Sequence, residues 1–134
     1  MFFNKKNKKE NSSNYVKIGA LLIHAAKIDE NYSEHEKHLI KEFIKSYMKD
    51  ENLDEILKSA ELLEGNSNQL LSFTNIIKKE NEEVKSDIIR HLWKIIISDK
   101  NVDHYESNLM RRICGLIYFP DKLSAEIKLQ ILKN

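Results

Sequence analysis

Apolar residues recur every three or four positions along most of this chain, the spacing that places them on one face of a helix. Seven such segments follow one another: residues 16–28, 39–48, 53–63, 70–77, 84–96, 109–117 and 123–131. Asn52 and Glu55 form a capping-box pattern before the third segment. Gly65 is a stop signal after it, and Pro120 suits the first turn of the last helix. The pattern predicts an all-α protein of about seven helices.

The chain carries an internal repeat. A shift of 70 positions aligns its two ends without a gap and pairs residues of like character: Leu22 with Leu92, Asp29 with Asp99, Asn31 with Asn101, Glu36 with Glu106, Leu39 with Leu109 and Leu57 with Ile127. The first three helices therefore correspond to the last three, and the fourth links them. Because two copies are too few for a solenoid, we predict a compact bundle of two related three-helix halves that share one core.

Two polar corners interrupt the helical pattern at matching places in the repeat. Each contains Asp-x-Asn-x-[Ser/Asp]-x-x-Glu between two apolar segments. Ser33 with Glu36 and Asp103 with Glu106 have the spacing of a capping box, in which each side chain bonds the backbone N–H of the other. Such a cap is worth about 1 kcal/mol. Helix capping therefore accounts for these four residues.

The corner aspartates are not explained by capping. Asp29 and Asp99 each fall at the C-terminal end of a helix, where the helix dipole disfavours an anion. An EF-hand is excluded, because neither corner has the glycine and glutamate that its loop requires at positions six and twelve. A smaller oxygen site for a divalent cation such as Ca²⁺, formed by Asp29 with Glu36 or by Asp99 with Glu106, stays open beside the purely structural interpretation.

Composition and net charge limit the classes of function that the chain can have. The 134 residues are 41% apolar and 32% charged, with a net charge of +1, so the chain has no overall field that would gather nucleic acid or membrane. Its single cysteine, Cys114, cannot form an internal disulfide, and it falls on the apolar face of the sixth helix. We expect a cytoplasmic protein with a buried, structural thiol.

The first 13 residues are polar and basic. We expect residues 1–13 to form a disordered tail and residues 14–134 to form one helical domain, because the tail has little apolar area to bury. An alternative is contact of residues 1–9 with a membrane surface, in which Phe2 and Phe3 insert and the lysines meet anionic lipid. The protein would then be peripheral to the membrane.

No catalytic motif emerges. His35 and His38 are three positions apart, not the four of the His-Glu-x-x-His zinc motif, and are read as surface residues. No nucleophile and base are paired by spacing, so we expect a protein that is not an enzyme. A nucleic-acid-binding helical domain is a lesser alternative, since acidic residues interleave the basic set: Lys78, Lys79, Arg90, Lys94, Arg111 and Arg112.

The duplicated corner resembles a known family. The pattern is an apolar helix, then a corner of the type Asp-Gly-x-apolar-x-x-x-Glu, then a second apolar helix. Its two occurrences resemble the TerB-like (tellurite-resistance) domain. The matching stretches are "IHAAKIDENYSEHEKHLIKEF" and "HLWKIIISDKNVDHYESNLMRRICGLIYFP", and the resemblance spans about residues 15–130. The second stretch is closer to the uncharacterised bacterial branch of the family. Glu30 and Lys100 replace the glycine of the family pattern.

The resemblance implies a function as well as a fold. It implies an all-helical module with a non-enzymatic role linked to tellurite or stress response. We expect an interaction or sensing module that acts on a protein partner. It also implies an acidic, divalent-metal-binding surface at the corners, with Asp29, Glu36, Asp99 and Glu106 as the motif acids. The alternative is a structural protein-binding scaffold without metal.

Overall fold

A computed structural model of the chain describes residues 8–29, 32–47, 52–66, 70–98 and 104–133. This part of the chain holds seven α-helices, one 3-10 turn and no strand. The helices are α1 (Lys8–Ala26), α2 (Glu34–Tyr47), α3 (Leu53–Asn66), α4 (Leu70–Lys78), α5 (Glu82–Ile97), α6 (His104–Ile117) and α7 (Asp121–Lys133), with the 3-10 turn at Lys27–Asp29. The prediction of an all-α bundle of seven helices is confirmed.

Helix α1 begins earlier than the hydrophobic pattern indicates. It starts at Lys8, inside the segment predicted to be a tail. Once the apolar part of a helix is packed, adding residues such as Lys9 and Glu10 costs little, because propagation is much easier than nucleation. The expectation of a tail now concerns residues 1–7, which lie outside the described residues.

The internal repeat is visible in the helix bounds. Helices α2 and α6 coincide residue for residue under the shift of 70 positions. The two halves also pack alike, since α1 lies against α3 in one half and α5 lies against α7 in the other. Helix α4 lies between the halves and packs against both α1 and α6. The prediction of two related three-helix halves sharing one core is therefore confirmed.

Helix α1 is the centre of the bundle. From Ile18 onward nearly all of its side chains are buried, and it contacts α2, α3, α4 and α5. This second half of the helix is apolar on nearly every side, so it must be covered on every side. Across the part of the chain that the structure describes, no helix combines the length and apolar character that a membrane crossing would need.

The α1–α3 contact depends on a glycine. A Cβ added at Gly19 would lie 3.0 Å from the Cβ of Ala60 and 3.6 Å from Cδ1 of Ile44. The atom at 3.0 Å is attached directly to the α3 backbone, so it cannot move away without moving the helix. Gly19 and Ala60 therefore set the distance between the two helices.

Helix α6 ends in a Schellman motif without glycine. The Phe119 N–H donates to the carbonyl of Cys114 at 2.9 Å, and the Tyr118 N–H donates to that of Gly115 at 3.4 Å. Tyr118 takes a left-handed conformation with φ of 60°, which normally favours glycine. Its ring is exposed, and Lys78 Nζ lies 5.0 Å from the ring centroid. A cation–π contact accompanies this strained residue.

Gly19→Ala is expected to destabilise the fold by about 1–2 kcal/mol. The overpacking at Ala60 outweighs the gain in helix propensity, which is about 1 kcal/mol. Gly115→Ala is the matched control, because no heavy atom lies within 4 Å of its added Cβ, and it should stabilise by about 0.5–1 kcal/mol. Urea denaturation followed by circular dichroism measures both. Equal stabilities for the two variants would contradict the close approach.

Tyr118→Gly is expected to be more stable than Tyr118→Ala by about 1 kcal/mol. Both variants lose the ring and its contact with Lys78, and only glycine relieves the left-handed strain. The same urea experiment compares them. If alanine were as stable as glycine, the strain at this helix end would be ruled out.

Candidate functional site

The first corner contains the predicted capping box. The 3-10 turn ends at Asp29, and α2 begins at Glu34. The Glu36 N–H donates to Ser33 Oγ at 3.1 Å, and the Ser33 N–H donates to Glu36 Oε1 at 2.8 Å. Two otherwise unpaired helix-start donors are satisfied reciprocally. Ser33 and Glu36 thus make the two hydrogen bonds of the capping box that their spacing predicts.

Glu36 is also a buried acid. It is 1% exposed, and its second oxygen, Oε2, is shielded from solvent together with the first. Removing a carboxylate from water is costly unless hydrogen bonds or a positive charge offset the cost. The bond from the Ser33 N–H supplies part of that offset. A surface cap would not need such burial, so the position of this carboxylate is a distinctive property of the corner.

Tyr32 directly precedes the capping Ser33 and is half-buried. Burial, followed by the nearby carboxylate of Glu61, raises the pKa of the Tyr32 hydroxyl well above its ordinary range. Lys37 Nζ lies 5.1 Å from the centroid of its ring. The phenol therefore stays protonated at physiological pH and keeps a neutral oxygen beside the acids of the corner.

Two basic side chains that precede the first corner contact the same carboxylate on α3. Lys27 Nζ donates to Glu64 Oε1 at 2.8 Å, and His24 Nδ1 lies 3.2 Å from Glu64 Oε2. These contacts tie the last turn of α1, through His24, and the 3-10 turn, through Lys27, to the last turn of α3. They also engage the lysine that comes two residues before Asp29 in the chain.

The structure describes only the backbone of some of the other predicted acids. The backbone of Asp29 ends the 3-10 turn and that of Glu106 lies in the first turn of α6, but both side chains are outside the described residues. Asp99 and Asp103 lie wholly outside them. Among the side chains that are described, no group of three or more His, Cys, Asp or Glu is placed to hold a metal ion. Metal ligation and the second capping box stay predictions.

Comparison with known families matches residues 16–129 to the family described as "Tellurite resistance protein TerB". The chain belongs to the TerB family. The resemblance identified from the duplicated corner is thereby confirmed, and the match includes both corners and nearly all of both TerB halves. Comparison with curated proteins and with solved structures gives no match.

A second polar site joins the two halves of this TerB chain. The Tyr47 hydroxyl, at the end of α2, donates to Asp87 Oδ2 on α5. Burial first, and this bond second, raise the pKa of the Tyr47 hydroxyl above its ordinary value. His91, one turn further along α5, lies with Nδ1 2.8 Å from the Asp87 carbonyl and 3.5 Å from its Oδ1.

His91 Nδ1 lies within hydrogen-bond distance of the Asp87 carbonyl. A carbonyl oxygen can only accept a hydrogen bond, so the tautomer that carries its proton on Nδ1 is the one that makes this bond. The His91 ring packs edge-on against Phe43, with centroids 4.8 Å apart. The ring of Tyr15 stacks on that of Tyr47 at 6.0 Å. This network is therefore built from both halves and held by aromatic packing.

Tyr47 and Asp87 of this network line an open cleft. The cleft has a volume of about 480 Å³, and its lining is mixed in charge: Tyr47, Asn81, Glu83, Val84, Ser86, Asp87 and Arg90. The Arg90 guanidinium donates a hydrogen bond from Nη2 to Gln130 Oε1 at 3.1 Å. Arg90 belongs to the basic set considered for nucleic acid, and here it shares a cleft with two carboxylates.

Sequence reasoning missed this network although a signal existed. Tyr47 fits the apolar pattern of α2 and Asp87 follows it by 40 positions, so no local spacing links them. The repeat does give a signal, because the shift of 70 positions aligns Tyr47 with Ile117 and His91 with Leu21. A polar residue that replaces an apolar one in a duplicated position indicates a feature added to one half.

The remaining candidates behave as packing or surface residues. Cys114 is buried, as predicted, and burial raises the pKa of its thiol. Trp93 is buried, and its Nε1 donates to Ser124 Oγ at 3.0 Å. His35 and His38 are exposed on α2, in agreement with the surface interpretation.

Tyr47→Phe is expected to destabilise this TerB chain by about 1–2 kcal/mol at pH 8, because Asp87 loses a hydrogen bond. The difference should shrink above pH 10. A raised tyrosine pKa means that the folded state favours the neutral phenol, so this stability is complete below the unfolded pKa near 10 and is lost as pH rises. Urea denaturation at pH 8, 10 and 11 measures the trend.

Asp87→Asn is the matched variant for this measurement. It keeps an oxygen that can accept from Tyr47 and removes the charge, so the loss of stability above pH 10 should lie between those of wild type and Tyr47→Phe. An identical alkaline profile for all three proteins would contradict the role of the pair.

Proposed function

We propose that this TerB protein is a non-enzymatic interaction module whose corners bind a divalent cation such as Ca²⁺ and present that state to a protein partner. Family membership supports the association with tellurite resistance through the family's name. The observation that carries the metal proposal is the burial of Glu36, a carboxylate held almost out of solvent beside the corner. A cation close to that carboxylate would help to offset the cost of burying its charge.

The chemistry of the first corner fits a hard cation. Ca²⁺ is bound by carboxylate, carbonyl, hydroxyl and water oxygens. The corner offers Glu36, and Asp29 ends the 3-10 turn only four residues before the capping Ser33. Asp29 is not required by the capping box, so a cation gives it a role. The second corner would repeat the arrangement with Asp99 and Glu106.

The competing proposal is a scaffold without metal. The capping box favours it, because one oxygen of Glu36 already has a structural role. The two proposals differ in what the negative charge of Glu36 does. A cap needs only a hydrogen-bond acceptor at this position, whereas a cation site needs the charge.

The compartment and the class of partner belong to the same proposal. Cys114, buried and with a thiol pKa raised by burial, is suited to a reducing compartment, and we assign the module to the cytoplasm. Nucleic acid is a weaker candidate partner, since Arg90 is held against Gln130 in a cleft that also contains Glu83 and Asp87. Contact of residues 1–9 with a membrane stays a prediction that mainly concerns residues outside the described part.

Glu36→Gln separates the proposals. Glutamine retains the acceptor oxygen of a capping box, so the variant should melt within a few degrees of wild type in EDTA. Wild type should gain thermal stability with millimolar CaCl₂ or MnCl₂, by about 2.7 kcal/mol when the metal reaches 100 times its dissociation constant. The variant should gain much less. Differential scanning calorimetry with and without metal measures both.

Two further variants serve as controls. Ser33→Ala removes the cap and keeps the charge, so it should lose about 1 kcal/mol in EDTA and retain most of the metal-dependent gain. Asp29→Asn should behave like Glu36→Gln. If wild type shows no gain at millimolar metal, the metal proposal is wrong and the scaffold proposal is favoured.

A further inference from the structure

Helix α7 is apolar on two faces. One face packs toward α5, with Ile127 and Ser124 buried and Leu123 and Ile131 half-buried. The other face is open to solvent. It consists of Ala125, Leu129 and Leu132, and the two leucines are 55% and 53% exposed. Their spacing of four and then three residues makes one continuous stripe along the helix.

The fold does not require this stripe. The equivalent positions on α3, given by the repeat, are Glu55, Ser59 and Leu62. Only one of these is apolar, and it is exposed like its counterpart. The same three-helix scaffold is thus built in the other half with a mostly polar outer face. The stripe on α7 is an addition to one half.

Charges along α7 are arranged with opposite signs at its two ends. Asp121 and Glu126 lie toward the start, and Lys128 and Lys133 lie toward the end, with Lys122 as the exception in the first turn. Glu126 and Lys133 each follow a stripe position by one residue, so they border the stripe on the same side. An antiparallel second helix would bring Lys133 opposite Glu126 twice, because residues on the same side of the stripe then face each other across the interface.

We propose that the α7 stripe is the docking surface for α7 of a second copy of this chain, antiparallel and about a two-fold axis. Leu129 lies near the axis and meets Leu129 of the second copy. Leu132 meets the small Ala125 at each end, so large and small side chains interlock. Lys128 does not obstruct the axis, because its Nζ is drawn 5.0 Å above the Trp93 ring of its own chain.

The association is a weak one. A single pair of short helices buries less than the roughly 1,200 Å² typical of a stable interface. The dimer therefore forms at high protein concentration, or when another contact assists it. The inference does not depend on metal binding at the corners, and its tests use the metal-free protein.

The first test is disulfide trapping. In Leu129→Cys the two thiols face each other across the axis, so oxidised glutathione should convert most of the protein to covalent dimer. Leu62→Cys is the matched control, on the equivalent helix and 68% exposed, and should yield at least fivefold less. The native Cys114 is 1% exposed and does not compete. Equal dimer yields from the two variants would overturn the proposal.

The second test addresses orientation. Sedimentation equilibrium should show that Glu126→Lys weakens dimerisation several-fold, and that adding Lys133→Glu to it restores the wild-type constant. Leu129→Lys should be monomeric at the same concentrations. Failure of the double variant to recover would exclude the antiparallel arrangement, and wild type that stays monomeric at millimolar concentration would exclude the dimer.

Discussion

The burial of α1 from Ile18 to Ala26 is the constraint on which the rest of this structure depends. This part of the helix has almost no solvent face, so α2, α3, α4 and α5 must each cover part of it. Two of these neighbours belong to the first half of the repeat, one links the halves and one begins the second half. The first half therefore does not complete its core alone. The approach of α3 at Gly19 and Ala60 sets how closely this shell can close.

The same constraint shapes the first corner. Because α2 must turn back against α1, the start of α2 lies at the edge of the core, where Glu36 is buried and its cap Ser33 is half-buried. Glu64 contacts His24 at the end of α1 and Lys27 in the 3-10 turn, so the corner begins from a fixed point. A capping box alone would tolerate exposure. Here it is combined with a buried charge, and this combination gives the corner chemistry beyond that of an ordinary helix start.

Features that depend on residues close together in the sequence could be predicted, whereas contacts between residues far apart could not. Helices follow from local periodicity, and the Ser33–Glu36 box joins residues three apart, so both were accessible. The Tyr47–Asp87 bond joins residues 40 apart, and Tyr47 satisfies the apolar pattern equally well without it. The left-handed Tyr118 was also hidden, because such helix ends normally carry glycine. The start of α1 was placed too late because its first turns have no apolar signal.

The duplication gives a physical criterion for separating folding from added function. Where the halves match, as in the bounds of α2 and α6, the feature serves the shared scaffold. Where they differ, as at Tyr47 against Ile117 or Leu129 against Ser59, the fold is satisfied without it. Asp29 and Asp99 are a third case. They match, yet a capping box needs neither, and the end of a helix disfavours an anion. An aspartate that the helix dipole disfavours, and that occurs in both halves, is a second reason, beside the burial of Glu36, to test the corners for a cation.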